Sequence, residues 1–503
     1  MNIKEAKAEI QNTVRAYTRK DEQGQYQMAP VRQRPILLIG PPGIGKTAIM
    51  EQVAKECGIG LVSYTITHHT RQSAVGLPVV VHKNYQGQEY TVTEYTMSEI
   101  IASVYECMER TGCREGILFI DEINCVSETL TPTMLQFLQC KMFGTHAVPK
   151  GWVIVAAGNP AAYNKSAREF DIVTLDRVKR IEVEADVEVW KEYAYEKHLH
   201  PAILSYLNLK KANFYYVNTE ERKKAFVTAR GWEDLSAILQ SYEQMEIAVN
   251  EALVYQYIQE QEIACDFADY YQLYAKYGAD YQMDQILDGR MEEKEYESRV
   301  SLAKNAARDE RITVASLIVN GLSEDFKAYA EMTEKVSGLY DLLQQVKREL
   351  TSGDSMAVCI ERCKHAAQMK KENQLWSVME EKRMGQQIRF LEQCELDACK
   401  ERAADAEKVF DVLRRAMNDL CKKREDFVEN LQKRIQRGFL FLEDAFGEGT
   451  ELTWFMGELS QNANAMEFIS TFGNQEYFAH SGTLKVSKKR RELLEKIERI
   501  MHE

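Results

Sequence analysis

Proline is missing from the last three-fifths of this sequence. All nine prolines lie at or before Pro201, and residues 202–503 contain none. Proline marks turns and strand–loop junctions and is excluded from helix interiors. We therefore expect a mixed α/β region up to about residue 200 and an almost entirely helical region after it.

Three further absences limit the class of protein. The longest apolar runs, such as residues 152–157, have the length of a strand and are too short to cross a membrane. The first 20 residues are charged throughout and lack the apolar centre of a signal peptide. The 11 cysteines form no paired framework, which is typical of a reducing compartment. These observations predict a cytoplasmic protein without a membrane segment.

The chain also lacks an excess of basic residues. Its formal net charge is −13 at pH 7. This charge argues against a general nucleic-acid binder, so nucleic acid stays an unfavoured partner that would need a local basic channel.

The first part of the sequence contains strand-like runs separated by helical stretches. This alternation predicts an open, five-stranded parallel sheet with crossover helices. Two alternating runs around a glycine-containing turn predict a β-hairpin insert at about residues 76–95. The five runs of the sheet are residues 36–39, 61–65, 117–121, 153–157 and 180–184.

The remaining chain is predicted to form two helical regions. We expect an α/β core over residues 1–185, a lid of short helices over 186–300 and an all-helical domain over 301–503. Apolar residues from Phe326 to Leu350 follow a spacing close to heptads, which favours packing between helices of the same chain. Residues 386–437 contain neither glycine nor proline, so a single helix of about 50 residues is allowed there. Long antiparallel helices in a hairpin or bundle are therefore expected over 325–437.

A glycine-rich sequence lies between the first strand and the helix after it. Glycine allows a tight turn with the N–H groups pointing inward around a phosphate, and the N-terminal end of the following helix adds to the attraction. In such a P-loop, Lys46 reaches the β- and γ-phosphates of ATP and the Thr47 hydroxyl binds Mg²⁺. The candidate ATP-binding residues are Gly40, Pro41, Pro42, Gly43, Ile44, Gly45, Lys46, Thr47 and Ala48.

Polar residues follow two later strands of the predicted sheet. Asp121 and Glu122 end the apolar run 117–120, and Asn159 follows the run 152–158. At the carboxyl ends of parallel strands these side chains face the nucleotide. We expect Asp121 to hold Mg²⁺, Glu122 to orient and polarise the attacking water, and Asn159 to contact the γ-phosphate and that water.

Arginines complete the candidate catalytic set. Three arginines precede or enter the fifth strand: Arg177, which is the first choice, Arg168, which is the second, and Arg180. Each is a candidate for the cation that one subunit supplies to its neighbour's site, where it neutralises charge in the transition state. The alternative for each is a surface ion pair with a nearby carboxylate. Arg230 begins a predicted helix at residues 228–235 and is a candidate to contact the γ-phosphate from the lid.

The motifs in this order resemble an AAA+ ATPase of the MoxR type, from the clade with a hairpin inserted in the helix after the second strand. The resemblance covers about residues 25–290 and implies a hexameric ring with ATP and Mg²⁺ bound between subunits. It also implies that Asn159 is sensor 1, Arg177 the arginine finger and Arg230 sensor 2. In that family the finger motif usually reads Asp-Arg-Phe, whereas here Val178 follows Arg177. The motifs are GPPGIGKT at residues 40–47, LFIDEIN at 118–124, AGNP at 157–160, LDR at 175–177 and ARGWEDL at 229–235.

Three functions remain in competition at this point. The favoured one is an ATP-hydrolysing ring that remodels or activates a protein partner, and the resemblance implies a partner with a von Willebrand factor A domain. The second is a nucleic-acid motor or defence component, which requires a basic pore on the hairpin. The third is a nucleotide-dependent switch or scaffold with little turnover, and the presence of candidate base, sensor and finger residues argues against it.

Overall fold

The computed structural model describes residues 1–66, 76–163, 167–168, 170–218, 225–372, 378–401 and 405–481. Contacts divide the chain into two units that are each discontinuous in sequence. Unit 1 consists of Met1–Trp190 and Lys210–Ala268, and unit 2 consists of Lys191–Leu209 and Asp269–Glu503. The predicted lid is thus divided, because residues 210–268 cluster with the core and residues 269–300 cluster with the later helices. The three consecutive domains stay a prediction.

Unit 1 contains the predicted parallel sheet. Its strand order is β2-β5-β8-β1-β9, and every neighbouring pair is parallel. The P-loop strand β1 therefore lies between β8 and β9, where its carboxyl end has neighbours on both sides. The described strands are β1 (Ile36–Ile39), β2 (Gly60–Thr65), β3 (Pro78–Tyr85), β4 (Gln88–Tyr95), β5 (Gly116–Asp121), β6 (Met142–Phe143), β7 (His146–Ala147), β8 (Trp152–Gly158), β9 (Lys179–Glu182), β10 (Tyr216–Asn218) and β11 (Ala225–Val227).

Alternate side chains of the central strands enter two separate apolar cores. Leu37 packs on one face of the sheet with the helices Glu99–Thr111 and Thr131–Cys140. Its neighbours on β1 pack on the other face with the helices Ile3–Thr18 and Lys46–Cys57. Because helices cover both faces, β1, β5 and β8 are buried along most of their length, which explains their continuous apolar sequences.

The rest of unit 1 is less purely helical than predicted. Strands β10 and β11 pair as an antiparallel ribbon in the region expected to contain only short helices. The helix Gln261–Tyr281, which begins in unit 1 and ends in unit 2, has 21 residues and is longer than predicted. The unit's other helices after the sheet are Ala229–Gln244 and Glu251–Tyr257, and Val187–Glu196 begins in unit 1 and ends in unit 2.

The predicted hairpin insert is present as β3 and β4. Its strands pair in antiparallel register from Pro78 with Tyr95 to Tyr85 with Gln88. Most of its side chains are exposed. The cations of the hairpin lie beside acids, since Lys83 pairs with Glu94 and His82 Nδ1 is 3.8 Å from Glu89 Oε1. The basic surface that a nucleic-acid pore needs is therefore not found on these strands.

Unit 2 is helical throughout its described residues and contains the predicted long helices. The helix Arg308–Thr351 has 44 residues, and most of the heptad-like positions from Phe326 to Leu350 are buried in it. Leu339, Leu343 and Val346 pack within the chain against Leu391 and Leu413. The unit's helices are Pro201–Leu209, Met283–Asp288, Glu293–Lys304, Arg308–Thr351, Met356–Glu372, Val378–Lys400, Ala406–Phe446, Thr450–Gln461, Ala463–Phe472 and Gln475–Ser481.

The single helix that the sequence allows over residues 386–437 is not formed. The structure has two helices there, Val378–Lys400 and Ala406–Phe446. The second helix is capped by Asp405, whose side chain accepts a hydrogen bond from the Lys408 backbone N–H at 2.8 Å. A capping side chain satisfies a backbone donor that a continuous helix would satisfy with its own carbonyl, so the break needs no glycine or proline. Among the described residues, no helix is both long and apolar enough to cross a membrane.

Candidate functional site

The glycine-rich loop joins β1 to the helix Lys46–Cys57. Gly43 and Gly45 have φ angles of 71° and 91°, in the left-handed region that favours glycine. A Cβ atom added to Gly43 would lie 2.9 Å from Cβ of Thr228. Glycine at position 43 therefore serves two purposes, because it turns the loop and lets the segment 228–230 approach it.

Lys46 is folded into the loop that precedes it. Its Nζ donates to the carbonyl oxygens of Gly40 and Pro41, at 2.8 and 2.7 Å, and to Oδ1 of Asn159 at 2.8 Å. Burial lowers the pKa of Lys46 to about 8, and the charge of Arg230 acts in the same direction while Asp121 opposes it. A buried ammonium ion held by neutral oxygens is available to an anion such as a phosphate.

The predicted metal-binding pair is assembled. The Thr47 hydroxyl donates to Oδ2 of Asp121 at 3.0 Å, although 74 residues separate them in the sequence. A hydroxyl and a carboxylate in contact at the end of a parallel sheet form the kind of oxygen site that Mg²⁺ prefers.

Glu122 has an unusual backbone conformation. Its φ angle is 57°, which is uncommon for a residue with a side chain and costs on the order of 1 kcal/mol. The Glu122 N–H donates to Oδ1 of Asp121 at 2.9 Å, and the Glu122 carbonyl accepts from the Cys125 N–H. This tight turn ends β5 immediately after Asp121 and fixes the Glu122 backbone next to the contact between Thr47 and Asp121.

Asn159 lies at the end of β8, and its amide oxygen reaches Lys46. A second amide supports it, since Asn124 Nδ2 donates to the Asn159 carbonyl at 2.7 Å. Asn124 is only 6% exposed. Asn124 belongs to the motif at residues 118–124 but was not among the predicted site residues, and its position two residues after Glu122 was the available signal.

The helix Ala229–Gln244 contacts the loop through its N-terminus. The Arg230 N–H donates to the Gly43 carbonyl at 3.2 Å, and the Thr228 hydroxyl caps the helix by accepting from the Gly231 N–H at 3.2 Å. The Tyr215 hydroxyl donates to the Pro42 carbonyl at 2.9 Å. Burial raises the pKa of Tyr215. Thr228 and Tyr215 were missed by the sequence analysis, and only the capping position of Thr228 gave a signal.

The side chains of the three other arginines are exposed and contact residues other than Lys46, Thr47, Asp121 and Asn159. Arg168 pairs with Glu128 at 2.5 Å, Arg177 donates to Gln139, and Arg180 pairs with Glu182. Arg177 follows the short helix Ile172–Leu175, whose first residue Ile172 is 85% exposed. The structure thus gathers Lys46, Thr47, Asp121 and Asn159 with the backbone of Arg230, whereas Arg168, Arg177 and Arg180 point to other partners.

A cavity of about 530 Å³ borders the loop at the carboxyl ends of β1, β8 and β9. Its walls include Gly40, Asn159, Arg168, Arg180 and Tyr163, but neither Lys46 nor Thr47 lines it. The volume is in the range of small-molecule sites. The cavity therefore lies beside the glycine-rich loop and offers room for a small molecule next to Gly40 and Asn159.

The residues present fit ATP and Mg²⁺. The buried Lys46 ammonium and the left-handed Gly43 and Gly45 suit a triphosphate, and the contact between Thr47 and Asp121 suits the cation. Residues 36–176 match the model of the ATPase family associated with various cellular activities (AAA). No curated protein matches the chain. The family match supports an AAA+ domain with nucleotide-dependent activity.

Proposed function

We propose that this chain is an Mg²⁺-dependent ATPase of the MoxR type that acts on a protein partner. The observation that carries the proposal is the set of contacts joining Lys46 to Asn159 and Thr47 to Asp121, which come from two strand ends and one helix start. Such convergence of a cation, a hydroxyl, a carboxylate and an amide is needed for phosphoryl transfer to water and has no use in packing.

Each residue of the site has a distinct role in the proposed reaction. Lys46 binds the β- and γ-phosphates, and Thr47 and Asp121 hold Mg²⁺, which neutralises developing charge when bound. Glu122 accepts a proton from the attacking water, while Asn159 orients that water. Arg230 contacts the γ-phosphate from the helix that begins beside Gly43.

The ATPase is proposed to work as a ring, with six copies as the expected number. Arg177 is the first candidate to complete a neighbour's site and Arg168 the second, because both side chains are exposed and they contact Gln139 and Glu128 rather than the groups around Lys46. The exposed Ile172 beside Arg177 supports a protein contact at this surface.

A protein partner is favoured over nucleic acid. The acid pairs of Lys83 and His82 remove the basic surface that the hairpin would need for a nucleic-acid pore. The long helices of unit 2 are the proposed output of the ATP cycle, and a partner with a von Willebrand factor A domain, in the cytoplasm, is the one that the MoxR resemblance implies.

The test of the enzymatic claim is Glu122→Gln. The amide keeps the shape of the side chain but cannot accept the proton, so we expect ATP binding to persist while turnover falls by roughly 100-fold or more. Nucleotide binding by fluorescence titration and phosphate release by the assembled protein are the measurements.

Glu109→Gln is the matched control, because Glu109 is an exposed glutamate of the same unit. It should leave both readouts unchanged. Normal hydrolysis by Glu122→Gln would remove Glu122 as the base, and an absence of turnover in the unmodified, assembled protein would favour the switch or scaffold instead. Stimulation by DNA or RNA at physiological salt would favour the nucleic-acid motor.

A further inference from the structure

We propose that Glu443, Glu476 and His480 bind a zinc ion within unit 2. The three side chains each offer one ligand atom, and these atoms lie within 4.8 Å of one another. All three residues are half-buried. The site lies outside the nucleotide-binding loop and is independent of the proposed ATPase function.

The ligands come from two helices. Glu443 lies near the end of Ala406–Phe446, while Glu476 and His480 lie four residues apart on Gln475–Ser481. Residues four apart share one face of a helix, so both can reach the same ion. A glutamate and a histidine at this spacing, with a third ligand from a facing helix, provide the imidazole and carboxylate donors that zinc accepts.

The spacing is compatible with a single ion. His480 Nε2 lies 2.7 Å from Glu443 Oε1. Two ligands on tetrahedral zinc are roughly 3.3 Å apart, given metal–ligand distances of about 2.0–2.2 Å. The two helices therefore need to adjust by less than 1 Å at these atoms, which rotation of the glutamate side chains can supply.

Neighbouring side chains hold the ligands in place. The ring of His480 stacks on Phe439, with ring centroids 5.8 Å apart and an interplanar angle of 11°. Gln436 Nε2 lies 3.5 Å from Glu476 Oε1 and points a donor at that carboxylate. Partners of this kind orient metal ligands and limit the rotations that binding would otherwise freeze.

The local charge also favours a cation. Glu443 and Asp444 occupy the last turn of their helix, where the helix dipole is negative, and no basic residue lies in that turn. Glu476 adds a further carboxylate from the facing helix. A divalent ion would offset two of the negative charges that these carboxylates bring together.

Zinc at this position would join the helix Gln475–Ser481 to Ala406–Phe446. The expected result is therefore zinc-dependent protection of residues 475–481 and 436–446 from hydrogen exchange in the full-length protein. The chain is first treated with a chelator, and zinc is then added in buffer containing millimolar Mg²⁺, which fills the oxygen site at Thr47.

Affinity is measured in parallel by calorimetric titration with zinc. We expect His480→Ala and Glu476→Gln each to weaken the binding by about 10-fold or more and to remove the protection at 475–481. His365→Ala is the control, because His365 is an exposed histidine of the same unit, and it should behave as the unmodified chain does.

The 11 cysteines offer zinc other places to bind, so the location of the protection decides the result. The proposal fails if zinc protects other segments only, if it does not bind, or if Glu476→Gln binds it unchanged. If His480→Ala does not fold, zinc binding by Glu476→Gln and hydrogen exchange in the unmodified chain still test the proposal. Each readout is independent of ATP turnover.

Discussion

Each unit buries a lysine, and the two lysines have opposite surroundings. In unit 1, Lys46 is 8% exposed and donates to two backbone carbonyls and one amide oxygen. In unit 2, Lys191 is 1% exposed and donates to the carboxylate of Glu458 at 2.7 Å, which also accepts from the Tyr195 hydroxyl. The first ammonium contacts only neutral acceptors, and the second contacts a counter-ion.

The difference separates a binding group from a structural one. A buried charge is costly unless it is paired, so the pair of Lys191 and Glu458 is complete in the folded chain and holds its helices together. Lys46 contacts only neutral oxygens, so burial lowers its pKa. A buried ammonium ion without a contacting counter-ion is suited to an anionic ligand. The two lysines therefore predict opposite effects on stability when each is replaced.

Lys191→Met should have the largest effect on stability. Removing the lysine leaves Glu458 buried without its cation, which costs about 3–5 kcal/mol for pairs of this kind. We expect faster hydrogen exchange in the helices Val187–Glu196 and Thr450–Gln461, measured by mass spectrometry under native conditions.

An exposed ion pair provides the control for this prediction. Lys364, which is 44% exposed, contacts Glu361 and Glu392, and Lys364→Met should change stability by less than about 1 kcal/mol. Equal losses of stability in the two variants would mean that the buried pair of Lys191 and Glu458 stabilises the fold no more than an exposed ion pair does.

Lys46→Met should have a smaller effect of the opposite sign. Burial lowers the pKa of Lys46 to about 8 in the folded chain, well below that of a free lysine, so the charged lysine opposes folding at neutral pH. We expect the substitution to raise the free energy of unfolding of unit 1 by at most about 2 kcal/mol, because the loss of three hydrogen bonds offsets much of the gain from removing a buried charge. ATP binding should be lost at the same time.

The pH dependence gives an independent readout of the same lysine. Between about pH 8 and 10.5 the unfolded chain holds a proton that the folded chain has released, so stability should rise with pH over this window. Lys46→Met should flatten that rise, whereas Lys55→Met, at an exposed position on the same helix, should retain it. A rise that persists in Lys46→Met would assign it to other groups.

Thr228→Ala should have the smallest effect on stability, and it tests the contact between the helix Ala229–Gln244 and the glycine-rich loop. The Thr228 hydroxyl caps the helix that starts beside Gly43, and loss of such a cap costs about 1 kcal/mol. We expect weaker ATP binding and little change in the fold of the sheet. Thr228→Ser keeps the hydroxyl and should restore the affinity, so a loss in both variants would point to the methyl group.

Much of unit 1 could be predicted from the sequence because its signals are local. The run at β1 is found at the residues expected, and the parallel order that brings Asp121 and Asn159 to the loop follows from strand–helix alternation. Tyr215 could not be predicted, since its bond to Pro42 joins residues 173 positions apart and no motif surrounds it. The ribbon of β10 and β11 was missed because each strand has only three residues.

Unit 2 was harder to predict in detail. Its long helices follow from the absence of proline, but the interruption between Lys400 and Ala406 depends on a single capping aspartate in a segment of good helix formers. The pairing of Lys191 with Glu458 spans 267 positions and leaves no pattern in the sequence. Side-chain contacts of this range are decided by packing, which local propensity does not describe.

The hydrogen bond from the Arg230 N–H to the Gly43 carbonyl has a mechanical consequence. The glycine-rich loop and the start of the helix Ala229–Gln244 are joined at one peptide group, with no flexible side chain between them. Force applied along that helix therefore acts directly on the curvature of the loop. By reciprocity, if bound nucleotide draws the helix toward the loop, a load that pulls the helix away speeds nucleotide release.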